Sequence, residues 1–246
     1  MKIKLNLKKI FSASIAILIG PLAFQLFAAD AFTQQEIKSS PYLQSVLKRK
    51  GQKYDTTKFR KAGPYRIALA AQGTSNSWSA LFDEHAYWYT EELGKGVISE
   101  LLYADAQASA DKQVPQVEDL LAQEPDALIL VPMGAAALTA PVERAMAQGV
   151  PVVLCASAVE TDNFVTEVGT NLYASGAGLA KYLAEKLNGK GRVLMMTGIP
   201  GVSTSDVMEA GGKATFKKYS GIDLVDEQPG NWSTAEAKRI METWLV

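Results

Sequence analysis

Cysteine and histidine are almost missing: 246 residues hold one of each. Cys155 alone builds no internal disulfide framework and no multi-cysteine metal site, and His85 alone excludes a His–His pair. Strong net charge is missing too, since 25 Lys and Arg stand against 26 Asp and Glu. Beyond residue 32 no apolar run approaches spanning length. No G-x-G-x-x-G follows the first apolar strand pattern, and no Lys follows the later glycine loop at phosphate-loop spacing. These absences argue against dinucleotide chemistry and P-loop phosphate binding.

What is present is material for a core. Apolar residues make up 48% and charged residues 21%, which excludes wholesale disorder. The length allows one large domain or two of roughly 100–150 residues. The near-zero charge hides an asymmetry. Residues 1–63 carry 12 Lys and Arg against 3 Asp and Glu, whereas 64–246 carry 13 against 23. The main body is therefore acidic, which argues against a nucleic-acid-binding surface.

Lys2, Lys4, Lys8 and Lys9 precede an apolar run over 10–27, broken by Gly20, Pro21 and Gln25 and followed by Ala28, Ala29 and Ala31. A basic start, apolar centre and small-residue exit predict a secretory signal peptide over 1–31, cleaved between Ala28 and Ala31. The competing reading, an uncleaved anchor, is disfavoured by the Gly-Pro break and the alanine exit. No Cys lies near that exit to carry a lipid. Residues 32–63 read as a loosely held basic arm with a short amphipathic piece at Tyr42, Val46 and Leu47.

From residue 64 short apolar runs alternate with helical periodicities. Strands are predicted over 66–71, 97–104, 127–131, 150–155, 164–168, 192–197 and 222–227. Helices are predicted over 78–93, 111–123, 135–148, 173–187, 205–219 and 233–245. Continuous apolar strands between helices predict an α/β fold with parallel sheets. The first helix is expected to turn Trp78, Leu81, Phe82, His85, Tyr89 and Leu93 inward, with Asp83, Glu84, Glu91 and Glu92 on a solvated face. His85 then reads as packed and hydrogen-bonded, and Cys155, ending an apolar strand, as a buried inert thiol. The Tyr87, Trp88 and Tyr89 cluster suits either core or interface.

Ligands of such sheets bind beyond the carboxyl ends of the strands. The first such loop holds Thr74, Ser75, Asn76, Ser77 and Trp78. Hydroxyls and amides both donate and accept, and an indole face stacks on the C–H face of a sugar ring. Equally, Asn76 or Ser77 caps the helix and Trp78 packs inward. Asp105 either meets a ligand or caps its own loop. Gly198, Pro200 and Gly201 precede hydroxyls at 203–205 and Asp206. Asn231 and Trp232 repeat the amide-and-indole theme before the last helix. Two such loops in corresponding positions suggest two jaws around one ligand.

In order, the chain shows the Asn76 and Trp78 loop; Tyr103, Asp105, Gln107, Gln113 and Gln116; Glu124 to Pro132; and Gly149 to Val153. Val168 to Asn171 with Gly176, then Gly198 to Gly201, and finally Gly230 to Trp232 complete the series. Over 64–246 this series resembles the periplasmic sugar-binding proteins of the ribose-binding type, type I solute-binding proteins of ABC importers. The resemblance implies two Rossmann-like lobes, the first over 64–170 and a partial second over 171–246. It implies a non-catalytic, periplasmic protein without cofactor or metal. Its partners would be a sugar-like small molecule and an ABC transporter permease, the membrane being reached only through that permease. By motif position Asn76 and Trp78 face the ligand from the first lobe, and Ser203 to Asp206 and Trp232 from the second. With Ser75, Asp105 and Ser157, the candidate ligand-binding set is Ser75, Asn76, Trp78, Asp105, Ser157, Ser203, Asp206 and Trp232.

The chain departs from the pattern in three places. Ala156 and Ser157 stand where relatives often carry Asp-Arg, and Asp206 begins a helix that often starts with a pocket Arg. Without those forked donors an ordinary sugar is held less firmly, because charge-assisted hydrogen bonds are about twice as strong as neutral ones. The sequence also ends at Trp244, Leu245 and Val246 inside a helical pattern, which leaves the second lobe incomplete, with exposed apolar edges. Alternative readings are a periplasmic sensor of the same fold signalling to a membrane receptor, a transcriptional regulator, and a Rossmann-fold enzyme. The regulator lacks a helix-turn-helix pattern ahead of residue 64, and the enzyme lacks an acid/base pair.

Overall fold

The computed structural model describes residues 53–245. The predicted signal peptide over 1–31 and the first part of the arm lie outside the described residues. The described end of the arm is held rather than loose, because Tyr54 and Phe59 pack against the main core.

Among the described residues seven strands and six α-helices succeed one another, alternating except where two short strands follow in turn. They are β1 Tyr65–Ala71, α1 Ser77–Trp88, β2 Ile98–Asp105, α2 Ala110–Leu121, β3 Ala127–Leu130, α3 Ala135–Ala147 and β4 Val152–Cys155. There follow β5 Thr166–Val168, α4 Leu172–Lys186, β6 Lys190–Thr197, α5 Ser203–Phe216, β7 Gly221–Pro229 and α6 Thr234–Trp244. Among the described residues no helix is long and apolar enough to cross a membrane.

Two sheets organise two lobes. The first runs β2-β1-β3-β4-β5, all parallel. Its alternating residues Ala68, Ala70, Leu102, Leu128, Leu130, Val152 and Leu154 meet Val117, Leu120, Leu121, Leu138 and Val142 from α2 and α3 in one core. The second sheet pairs β6 with β7, also parallel. There α4 and α5 cross closely, and a Cβ on Gly176 would collide with the Met208 carbonyl. Only a residue without a side chain lets the two backbones approach so far.

In the first sheet, β1 passes to β2 on one side and β3 lies on the other. The strand order reverses there, so β1 and β3 diverge at a topological switch point, where doubly wound sheets bind ligands. The fully buried Gln113 stitches that fork. Its Nε2 donates to the Val131 carbonyl at 2.8 Å and the Ala71 carbonyl at 3.3 Å, and its Oε1 accepts from Met133 N–H at 2.7 Å. A buried amide with both ends paired fixes both strand ends without an unsatisfied polar group.

The first helix turns another way than its apolar stripe predicts. Its buried residues are Ser79 and Asp83. Leu81, Tyr87, Trp88, Tyr89 and Leu93 are exposed. Asp83, expected on the solvated face, accepts a 2.7 Å hydrogen bond from Tyr103 Oη on β2. His85 is exposed rather than packed, and its Nδ1 lies 2.7 Å from the Leu81 carbonyl. One partly buried carboxyl–phenol bond and the cap at Asn76 set the rotation of this helix, and a π-helical turn, Tyr89–Leu93, ends it. Burial pushes the Asp83 carboxyl up, against the opposing pull of the Tyr103 hydroxyl.

Candidate functional site

A cavity of about 680 Å³ opens where the carboxyl ends of β1, β4 and β5 face the start of α5 and the loop after β7. The first lobe supplies Gln72, Asn76, Trp78 and Phe82 from β1 and α1, and Cys155, Ala156 and Ser157 from the end of β4. Val168, Gly169, Thr170 and Leu172 follow β5, and the second lobe adds Thr204 and Trp232. None of these lining residues is charged. The volume lies in the ordinary range of small-molecule sites. Another cavity, about 530 Å³, lies within the second lobe and shares Trp232 as a wall.

Asn76 is the N-cap of α1. Its Oδ1 accepts from Ser79 N–H at 3.1 Å and Asn76 N–H donates to Ser79 Oγ at 3.4 Å, while Ser79 Oγ also donates to the Asn76 carbonyl at 3.0 Å. This capping box fixes the amide so that Nδ2 is the end left free for a ligand. Capping and cavity lining are therefore not alternatives here, because one side chain does both. Trp78 is 49% exposed, and its ring stacks on Phe82 with centroids 5.5 Å apart. Phe82 went unselected in the sequence although it lies one helical turn beyond Trp78, a spacing that makes the two rings neighbours.

Trp232 is held differently. It and Asn231 sit in the left-handed region at φ 52° and 54°, uncommon for residues with a bulky side chain. A Cβ on Gly198 would strike the Trp232 indole, so that glycine is the floor on which the ring rests. Trp232 and Ile199 also pack on a small cluster formed by Ala106, Met133 and Val202, which draws on both lobes. Ala156, at the cavity, is left-handed as well at φ 61°. Sparsely populated backbone of this kind persists only where the surroundings impose it.

A seam of neutral hydroxyls joins the lobes beside the cavity. Ser157 Oγ lies 2.7 Å from Thr204 Oγ1, which donates to the Ala156 carbonyl at 2.7 Å. Ser203 Oγ accepts from Ala158 N–H at 2.7 Å. Thr204 and Phe82 are cavity residues that the sequence-derived set omits. Thr204 had as signals its place among adjacent hydroxyls and within the 203–206 stretch that the resemblance puts on the second lobe.

Of the eight candidates, Asn76, Trp78, Ser157 and Trp232 come together around the cavity. Ser203 is buried one residue away in the seam. Ser75 is exposed and outside the lining. Asp105 Oδ1 accepts from Gln107 N–H at 2.6 Å and holds its own loop. Asp206 Oδ1 accepts from Gly201 N–H at 3.2 Å, and burial raises its carboxyl. Cys155 is partly buried and lines the cavity, and burial pushes its thiol up, away from the reactive thiolate. Among the described residues no cluster of three His, Cys, Asp or Glu could hold a metal ion.

A family model for the periplasmic binding protein domain matches residues 67–246. Among curated proteins, the chain is 30% identical over 146 residues to a xylitol-binding protein of Mycolicibacterium smegmatis, a match covering 59% of this chain and 42% of that one. It is 30% identical over 145 residues to a ribose import binding protein of Bacillus subtilis, covering 59% and 47%. The chain thus spans about half the length of the curated relatives it matches. Among solved structures, the fructose-binding periplasmic domain of a hybrid two-component system aligns with a TM-score of 0.67 at 25% identity, over 74% of this chain and 59% of that one.

Proposed function

The chain belongs to the periplasmic binding protein domain family, and from that premise we propose that it binds an uncharged, sugar-like small molecule without transforming it. The observation that carries this is the cavity between the lobes, walled by Trp78, Phe82 and Trp232 and edged by the amides and hydroxyls of Gln72, Asn76, Ser157, Thr170 and Thr204. Aromatic faces suit the C–H faces of a sugar ring, and neutral groups satisfy its hydroxyls. A charged solute entering the same space would lose hydration without gaining a counter-charge.

The basic, apolar and small-residue order of 1–31 supports export to the periplasm. Delivery to the permease of an ABC importer is the role that fits the ribose import relative. Closure of the two lobes on the solute would present it. A second reading, a sensor signalling to a membrane receptor, is favoured by the likeness to a two-component periplasmic domain. Co-purification with a permease supports the first reading, and with a kinase or chemoreceptor the second.

The binding claim is tested by thermal shift on the full chain with neutral pentoses, hexoses, pentitols and cyclitols. At least one should raise the melting temperature in a saturable way. No response to any of them would overturn the proposal.

A further inference from the structure

The hydroxyl seam has a direction, and that direction restricts what the cavity accepts. Thr204 has a single hydroxyl hydrogen, and it points to the Ala156 carbonyl at 2.7 Å. A carbonyl can only accept. The 2.7 Å contact between Ser157 Oγ and Thr204 Oγ1 therefore uses the hydrogen of Ser157. Ser157 donates to Thr204, and Thr204 donates to Ala156. What Ser157 has left is lone pairs, and among the described residues no donor takes them. Its side chain is nearly buried, at 3% exposure, so bulk water does not readily serve it, yet it borders the cavity.

We propose that Ser157 is a specificity-determining residue that acts only as an acceptor and reads a free hydroxyl on the bound solute. The inference rests on the proposed polyol site and names what that site rejects. Asn76 is the complementary case: its Oδ1 is turned to the helix cap, so the end it offers the cavity is the Nδ2 donor. A ligand hydroxyl can satisfy either wall. A fluorine, an ether oxygen, a carbonyl or a carboxylate cannot donate, and opposite Ser157 each leaves a buried acceptor facing another acceptor. The relay spans both lobes, so the second lobe sets the polarity of a first-lobe side chain.

The test is calorimetric titration of the full chain with D-ribose, D-allose and xylitol and their monodeoxyfluoro derivatives, since fluorine fits the space of a hydroxyl without donating. Wild type should bind one fluorinated isomer about tenfold more weakly than its parent, the effect of one lost hydrogen bond with its partner left unpaired. In Ser157→Ala that ratio should fall to about one. In Thr204→Val, where the Ser157 hydrogen is released, the same isomer should regain affinity relative to its parent. Thermal melts establish that both variants fold, and Thr204→Val carries the test if Ser157→Ala does not. A parent that binds while the ratio stays the same in wild type and variants overturns the role of Ser157 alone. Failure of these parents and of every other neutral pentose, hexose, pentitol and cyclitol to bind overturns the polyol site and this inference with it.

Discussion

The segments around Trp78 and Trp232 carry the same residue types, an Asn and a Trp where a helix begins, and use them in opposite ways. In the first, Asn76 is extended at φ -146°, caps α1 and leaves Trp78 half in solvent. In the second, Asn231 and Trp232 are both left-handed, the cap passes to Ser233, and the indole rests on Gly198. One wall of the cleft is thus a helix end whose indole is partly free, and the other is an indole fixed by its backbone and by packing between the lobes. Residue type sets what a loop can offer a ligand, and backbone geometry sets whether it also carries structure.

The sharpest way to break this contrast is to remove each indole. Trp232→Ala should cost about 3 kcal/mol of stability in urea denaturation, the order for a packed aromatic, and should weaken sugar binding as well. Trp78→Ala should change stability by roughly 0.5 kcal/mol or less, as surface substitutions do, while weakening binding by roughly tenfold. Equal stability losses in the two variants would erase the distinction. Next in size, Gly198→Val should push the Trp232 ring off its floor. A loss of about 2 kcal/mol is expected for overpacking, with binding reduced as in Trp232→Ala, and unchanged affinity would mean that the ring position does not matter.

Smaller effects sharpen the first loop. Asn76→Ala should cost about 1 kcal/mol through loss of the cap. Asn76→Asp keeps the capping oxygen and should retain stability, yet its charge in a neutral cleft should lower affinity for a neutral sugar. In Asn76→Asp the two readouts should therefore separate, the melting temperature holding while the calorimetric affinity falls. The smallest effect concerns Asp83, which sets the rotation of the same helix. Its carboxyl is raised on folding, so the folded state binds more protons than the unfolded one, and stability falls as pH rises from the ordinary carboxylate range through the raised value. Asp83→Asn should flatten that fall in denaturant melts taken from about pH 4 to pH 7. A slope unchanged by the substitution would show that Asp83 does not contribute it.

The same two loops show how much was legible in the sequence. Strand positions were, because runs such as Ile67 to Ala71 and Ala127 to Leu130 are continuously apolar and only a doubly covered parallel strand needs that. The cleft was located by the rule that loops after such strands bind, which led to Asn76, Trp78, Ser157 and Trp232 directly. The rotation of α1 was not legible, since the Tyr103 hydroxyl that captures Asp83 lies 20 residues away and overrides the apolar stripe. The pairing of Ser157 with Thr204 spans 47 residues and depends on how the lobes meet, which no local pattern encodes. The left-handed turn under Trp232 was hidden for a related reason: a Trp gives no local signal for that conformation, and packing over Gly198 imposes it.

The central claim is that the cleft holds an uncharged solute. Its most direct measurement is calorimetric titration of the full chain with a neutral hexose, its uronic acid and its 2-amino analogue, matched in ring stereochemistry to the best neutral binder. Saturable binding of the neutral sugar with both charged forms at least tenfold weaker is the predicted result. An acid or amine that binds as tightly as the neutral sugar, or more tightly, would contradict it.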